Sequence, residues 1–185
     1  IRMLCDNYPK QTLDALMNIL GTHDTARILT VLGGKSCYTK DEMASVQMRL
    51  TEKERKLAIE KVKMAALLQY TLPGVPCVYY GDENAAEGYI DPFCRGCFDW
   101  EHLNGELISY YQKLGKIRTR FREIFCSGEY EEIYQRNGCF IFRRFNSNTE
   151  IYIYVNNSSE GYFINFSGNY LEQLQNIAFE NVFEI

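Results

Sequence analysis

Residues 14–27 read DALMNILGTHDTAR, an apolar run that ends at a polar cluster. A short apolar run followed by polar residues is typical of a buried parallel strand with a functional loop at its C-terminal end. A second run of this kind, VPCVYY, lies at residues 75–80 and ends at residues 81–83, GDE. Because a helical pattern separates the two runs, the order strand, helix, strand predicts a parallel sheet of the α/β class.

The helix between the two runs has clear start and stop signals. Residues 51–54, TEKE, form a capping box, in which Thr51 and Glu54 would satisfy two free amides reciprocally. The pattern becomes almost wholly apolar over residues 64–72, so we expect that end to be buried, and Pro73 with Gly74 ends it. A further helix is predicted from about Gly105 to Arg122.

The texture of the sequence changes after Phe125. Turn residues such as Asn, Ser and Gly recur roughly every ten residues, and β-rich runs lie between them at residues 139–145 and 150–155. Short strands with turn signals at this interval predict an antiparallel sandwich or barrel. We expect the boundary between the two parts within residues 122–127.

Composition excludes several classes of protein. The 185 residues are 46% hydrophobic and 24% charged, which is an ordinary globular mixture. No apolar run approaches the about 20 residues that a membrane-spanning helix needs. A net charge of −4 with scattered charges gives no footprint for nucleic acid. The seven cysteines are odd in number and irregular in spacing, so we interpret them as reduced thiols in a cytoplasmic protein.

The densest group of candidate functional residues follows the first apolar run. His23 and Asp24 stand side by side, and Arg27 comes three residues later. Active sites of parallel α/β folds collect at this end of the strands. There an Asp can stabilise positive charge, a His can hydrogen-bond a hydroxyl, and an Arg can pair with a carboxylate. The alternative is a helix N-cap Asp beside a surface His.

Two weaker patterns follow the second apolar run. Asp82 and Glu83 are paired carboxylates, as glycoside hydrolysis requires, but residues adjacent in sequence need not point the same way and can instead be loop acids capping the next segment. Cys94 and Cys97 form one CxxC, which without a second pair is half a zinc site, even with His102 nearby. We therefore predict no metal and no cofactor.

The two motifs together carry a resemblance to a known family. Residues 22–24, THD, are similar to the His-Asp motif after the seventh barrel strand of α-amylase family glycosidases, and residues 73–83 resemble that family's motif on the eighth strand. The loop with Asp91, Arg95 and Trp100 looks like the branch of cyclomaltodextrinases, neopullulanases and maltogenic amylases. Many family members have Asn where Thr22 stands here, although this branch often has a small hydroxyl residue.

The resemblance implies a fold and a division of the chain. Residues 1–124 would be the C-terminal part of a (β/α)₈ barrel, namely strands seven and eight with their helices. Residues 125–185 would be a small antiparallel β-sandwich domain. A complete barrel usually needs about 250 residues, so a chain of 185 residues can hold only part of one.

The resemblance also implies roles for individual residues. Asp24 would be the catalytic carboxylate that stabilises the transition state, and His23 and Arg27 would bind substrate, with Arg27 orienting the loop. Glu83 and Tyr80 would support the site from behind. The nucleophile and the acid/base would belong to barrel strands four and five, upstream of Ile1, so we expect this chain alone to be inactive.

The function implied is that of a retaining glycoside hydrolase on α-glucans such as maltodextrins, cyclodextrins or pullulan. The alternative is a non-catalytic amylase-like module for carbohydrate binding or protein association. Expected partners are an α-glucan oligosaccharide and either a second copy or the missing barrel half, with no nucleic acid and no membrane. The sequence upstream of Ile1 would distinguish enzyme from module.

Overall fold

The computed structural model describes residues 1–34 and 49–158 of the chain. Within those ranges, the helices and strands in chain order are α1 (Arg2–Asn7), α2 (Lys10–Asp14), β1 (Met17–Ile19), α3 (Ile28–Leu32), α4 (Glu52–Thr71), β2 (Val75–Cys77), α5 (Gly105–Arg120), α6 (Arg122–Ser127), β3 (Glu129–Arg136), β4 (Cys139–Phe145) and β5 (Glu150–Asn156). Single 3₁₀ turns lie at Asp82–Asn84 and Phe93–Arg95.

Strands β1 and β2 pair in parallel, which confirms the predicted neighbours. Met17 lies opposite Val75, and Ile19 lies opposite Cys77. Gly74, with φ of 114°, makes the turn into β2, where a Cβ would come within 2.6 Å of the Leu16 carbonyl oxygen. Only glycine fits such a left-handed position beside another backbone. β2 ends three residues before the apolar run does, because the chain then turns and the Asp82 N–H donates to the Tyr79 carbonyl.

Helix α4 begins at the predicted capping box. The Thr51 hydroxyl accepts the Glu54 N–H at 3.3 Å, and the Glu54 carboxylate accepts the Thr51 N–H at 2.8 Å. On its buried face, Ala58, Val62 and Ala66 pack into one core with α3 and α5. The Gln69 amide, near the end of the helix, donates to carbonyls of both parallel strands at 2.9 Å. α4 is therefore the crossover that fixes β1 beside β2.

Strands β3, β4 and β5 form an antiparallel sheet in sequential order. The β3–β4 turn uses Asn137 and Gly138 at positive φ, as tight hairpins require. Phe142, Ile153 and Val155 are buried on one face of the sheet, against the apolar end of α4. The predicted burial of that end of the helix is confirmed.

The remaining predictions concern α5, the boundary between the two parts of the chain, and the rest of the β-rich part. α5 is close to its predicted bounds, and Leu107, Tyr111 and Leu114 are its buried stripe. The chain then bends into α6, which covers the expected boundary at residues 122–127. One three-stranded sheet is described, and the rest of the predicted sandwich lies outside the described residues, as does Cys37, one of the seven cysteines. In residues 1–34 and 49–158, no helix is both long and apolar enough to cross a membrane.

Candidate active site

The two loops that follow β1 and β2 start from the same edge of the sheet, because the strands are parallel neighbours. The first loop comprises residues 20–27, and the second begins at residue 78 and runs to α5. Ligands of parallel α/β folds bind where strand carboxyl ends meet. The polar residues singled out in the sequence therefore come together at one end of the molecule.

A hydroxyl-stabilised turn presents Asp24. The Thr22 N–H donates to the Thr25 hydroxyl at 3.1 Å, and the Asp24 N–H donates to the Thr22 hydroxyl at 3.2 Å. Thr and Ser side chains mimic a backbone turn in this way. Thr22 thus orders the backbone under the His-Asp pair.

Asp24 and His23 point outward together. His23 Nε2 lies 3.1 Å from Asp24 Oδ2, and the two side chains are 63% and 69% exposed. A carboxylate open to solvent at the strand ends can approach positive charge that develops on a bound molecule, as the predicted role requires.

Sequence reasoning missed a direct partner of Asp24. The Arg95 guanidinium lies 3.3 Å from Asp24 Oδ1, and its Nε donates to the His23 carbonyl at 3.1 Å. Asp91 pairs with the same guanidinium at 2.7 Å. The Cys94 thiol also lies 3.0 Å from the His23 carbonyl oxygen. The second loop therefore holds the first, over a separation of about 70 residues that local spacing could not reveal.

Arg27 lies beneath the loop, and it is 2% exposed. Its guanidinium carbon is 4.2 Å from the centre of the Tyr79 ring and 4.6 Å from that of Tyr80. It also donates to the Tyr80 carbonyl, and its own N–H donates to the Gly88 carbonyl at 2.9 Å. Such stacking and hydrogen bonding suit a planar guanidinium. Both roles expected of Arg27, orienting the loop and contacting substrate, stay predictions.

Asp82 is the buried counter-charge of Arg27. One carboxylate oxygen lies 3.5 Å from the guanidinium, and both side chains are 2% exposed. Burial raises the Asp82 pKa to about 6, while Arg27 opposes that rise. A Cβ at Gly21 would lie 2.9 Å from the other Asp82 oxygen, so the end of β1 rests directly on this carboxylate. The sequence singled out Asp82 only as one of two adjacent carboxylates, and its pairing with Arg27 was not predicted.

Tyr80 and Glu83 diverge, although both follow β2. The Tyr80 hydroxyl donates to the Gly96 carbonyl at 3.0 Å and so links the strand end to the second loop. Glu83 faces inward, where burial chiefly and the nearby carboxylates raise the pKa of Tyr111. Their supporting roles stay predictions.

Among residues 1–34 and 49–158, no three His, Cys, Asp or Glu side chains are arranged to hold a metal ion.

Comparison with known proteins adds independent evidence. Residues 2–105 match the model of the alpha amylase catalytic domain. A cyclomaltodextrinase from Geobacillus thermopakistaniensis is 38% identical over 120 residues, which are 64% of this chain and 16% of that protein. An amylopullulanase from Thermoanaerobacter thermohydrosulfuricus is 35% identical over 139 residues, 75% of this chain and 9% of that protein. The chain thus spans less than a fifth of the length of these two relatives.

Solved structures of larger proteins superpose on most of the chain. A debranching enzyme from Nostoc punctiforme matches 84% of this chain and 27% of its own, with a TM-score of 0.67 and 28% identity. An alpha-amylase from Geobacillus thermoleovorans, crystallised with acarbose, matches 86% and 32%, with a TM-score of 0.65 and 26% identity. Because the family model covers more than half of the residues, this chain belongs to the α-amylase family.

Proposed function

We propose that this chain is the C-terminal part of a retaining α-amylase-type glycoside hydrolase that acts on α-glucans. β1 and β2 would be the seventh and eighth strands of a (β/α)₈ barrel, within residues 1–124, and residues 125–185 would be a terminal β-sandwich domain. The observation that carries the proposal is the exposed pair of His23 and Asp24, held at the end of β1 by the loop after β2.

In this mechanism Asp24 stabilises the oxocarbenium-like transition state. Its charge lies at the strand ends, where Arg95 orients it and leaves most of the carboxylate open. His23 hydrogen-bonds a sugar hydroxyl from the adjacent position. Retaining hydrolysis also needs a nucleophile and an acid/base about 5–5.5 Å apart. Both would be supplied by barrel strands upstream of Ile1.

The buried layer under the loop keeps that geometry. Arg27 is fixed by two tyrosine rings and by Asp82, so the backbone that leads from Asp24 to α3 has little freedom. Tyr80 and Glu83 support the same layer from the loop after β2. We also propose that the protein is cytoplasmic, as its cysteine usage suggests.

The catalytic proposal is tested in a chimera. This chain replaces the matching segment of the Geobacillus thermopakistaniensis cyclomaltodextrinase, and hydrolysis of a cyclodextrin is measured. Asp24→Asn preserves shape and removes the charge, so we expect kcat to fall about 10²-fold or more. Asp6→Asn, an exposed position on α1, is the matched control. Wild-type kcat in a folded Asp24→Asn chimera would overturn the catalytic role.

The isolated chain should not turn over a nitrophenyl maltoside, because two of the three carboxylates lie outside it. Turnover that disappears in Asp24→Asn would contradict this expectation. It would show that residues within the chain supply the missing acid and nucleophile.

The same proposal predicts association through the parallel sheet. Met17 is 65% exposed and Val75 is 48% exposed, and each short strand has one edge away from its neighbour. Such edges pair with further strands, and each buried side chain of this size contributes about 1.5–3 kcal/mol. We therefore expect the isolated chain to self-associate or to bind the missing barrel half. Light scattering across a dilution series that found only monomer would contradict the first expectation.

A further inference from the structure

Residues 94–97, CRGC, carry the contacts that join the second loop to the first. The buried Cys94 thiol donates to the His23 carbonyl at 3.0 Å. The Arg95 Nε donates to the same oxygen at 3.1 Å, and the other end of its guanidinium pairs with Asp24. The thiol of a cysteine thus takes part directly in holding the backbone that presents the candidate catalytic pair.

The two cysteines of this segment are both free thiols, but they differ in access to solvent. Cys94 is fully buried, and its Cα would lie 3.0 Å from a Cβ at Gly88, so its backbone is tightly packed. Cys97 is exposed, and the position that a Cβ would take on Gly96 has open space around it. Cys94 is therefore the fixed partner, and Cys97 is the partner that a reagent can reach.

We propose that Cys94 and Cys97 form a reversible disulfide, and that its formation releases the His23 carbonyl and loosens the loop that presents Asp24. The S–S bond replaces the hydrogen of the Cys94 thiol, so the donor to His23 is lost whatever geometry the bond adopts. The ring that the bond closes also contains Arg95, whose guanidinium pairs with Asp24. In reducing compartments, disulfides of this kind are usually transient and redox-sensing.

The oxidant is a small disulfide such as oxidised glutathione. The accessible Cys97 thiol loses its proton and attacks one glutathione sulfur, which forms a mixed disulfide and displaces one glutathione thiolate. Cys94 then loses its proton and attacks the Cys97 sulfur, which displaces the second glutathione thiolate. Two protein thiols are thereby oxidised, one disulfide is reduced to two thiols, and the two protons are taken up by these products.

The first experiment maps the bond in the chain treated with oxidised glutathione. Trypsin cleaves after Arg95, so the disulfide would hold peptides 64–95 and 96–113 together until dithiothreitol separates them. The first peptide also contains Cys77, so Cys77→Ser should keep the joined peptides and Cys94→Ser should lose them. Joined peptides that are absent, that persist in Cys94→Ser, or that occur only in covalent dimers on a non-reducing gel would overturn the proposal.

The second experiment measures release of the first loop without any substrate. Amide hydrogens of residues 22–25 should exchange about two- to tenfold faster in the oxidised chain than in the reduced chain, as the loss of one hydrogen bond predicts. Cys97→Ser should show no difference between the two treatments. Cys126→Ser, which removes another exposed cysteine, should respond like the wild type. Equal exchange in both states, with the disulfide formed, would overturn the release.

The consequence for catalysis rests on the proposed function and is measured in the cyclodextrin-hydrolysing chimera. Oxidation should lower kcat about tenfold or more, since a displacement of about 1 Å can cost 10²-fold, and dithiothreitol should restore it. Cys97→Ser should keep the reduced wild-type kcat under both treatments, and an equal loss in this variant would overturn the assignment to this pair. A chimera without turnover that requires Asp24 would overturn the catalytic role alone, because peptide mapping and hydrogen exchange test the disulfide independently.

Discussion

The two sheets within residues 1–34 and 49–158 differ in how far their faces are covered by other parts of the chain. β1 and β2 have three residues each, and their side chains Met17, Ile19 and Val75 are 65%, 44% and 48% exposed. The antiparallel strands have seven or eight residues and bury Phe142 completely. The parallel pair is held from behind by α4, while the antiparallel sheet has its own apolar face packed on the same helix.

The difference follows from how each sheet is connected. Antiparallel strands joined by a two-residue turn need only their sequence neighbours to form a ladder. Parallel strands need a crossover helix, and further strands complete both of their edges. The polar loops that carry Asp24 thus stand on the sheet that depends most on other chain segments. Mutations should therefore act differently on the two regions.

The largest contrast should come from one apolar side chain on each sheet. Phe142→Ala leaves a cavity between β4 and α4, so we expect the free energy of unfolding to fall by about 3–5 kcal/mol. Val75→Ala should cost less than about 1 kcal/mol at dilutions where the isolated chain is monomeric, because half of that side chain is then in water. Urea denaturation of both variants makes the comparison. Equal losses would mean that the face of β2 is covered in solution.

Adjacent arginines on β4 provide the next contrast. Arg144 is fully buried and donates to five carbonyl oxygens, those of Thr71, Ile124, Phe125, Gly128 and Glu129, at 3.1–3.4 Å. Arg143 pairs on the other face with Glu131 and Glu150.

Replacing each arginine by methionine should separate these environments. Arg144→Met leaves carbonyl groups at the junction of α4, α6 and β3 without a hydrogen-bond donor. We therefore expect the free energy of unfolding to fall by about 3–4 kcal/mol. Arg143→Met should cost about 1 kcal/mol or less, as partly exposed ion pairs do. Thermal unfolding compares the two, and a larger loss for Arg143→Met would reverse the assignment of faces.

Titration of Asp82 should make the free energy of unfolding depend on pH. Burial raises its pKa to about 6 from 3.8, with Glu83 adding to the rise and Arg27 opposing it. Between about pH 4 and 6 the folded state therefore holds a proton that the unfolded state has lost. This contribution to stability is present below about pH 4 and is lost as the pH rises through about 6.

The variant Asp82→Asn isolates that effect, because the amide does not titrate. The free energy of unfolding of the wild type, relative to the variant, should fall by about 2–3 kcal/mol as the pH rises from 4 to 6, since one pKa unit corresponds to about 1.4 kcal/mol. Urea denaturation at several pH values measures the difference. A constant difference would mean that Asp82 is not buried in this way.

Local signals made most of the fold predictable. The capping box needs only Thr51 and Glu54, and the parallel pair follows from two apolar runs and a crossover. The position of Asp24 after β1 was equally local. The limits of β2 were not, because the apolar run continues through Tyr80 while the backbone already turns at Tyr79.

Charge pairs between residues that are far apart in sequence could not be predicted. Arg95 meets Asp24 across 71 residues, and Asp82 meets Arg27 across 55, so no spacing rule joins them. Arg143 and Arg144 alternate on one strand, and a period of two places them on opposite faces without saying which is inside. Only the packing of β4 against the end of α4 decides that.

The smallest expected effect concerns α4, which contacts both the strand-end loops and the antiparallel sheet. Thr51→Ala removes the N-cap and should cost about 1 kcal/mol. The N-terminal end of α4 holds the strand-end loops, since the Leu50 N–H donates to Glu87 at 3.0 Å and Arg55 donates to the Ala85 carbonyl at 2.9 Å. The antiparallel sheet instead contacts residues 64–72. Hydrogen exchange should therefore quicken in the first turn of α4 and around residues 85–88, with β4 unchanged. Equal acceleration in β4 would show that α4 frays as one unit and couples the two regions.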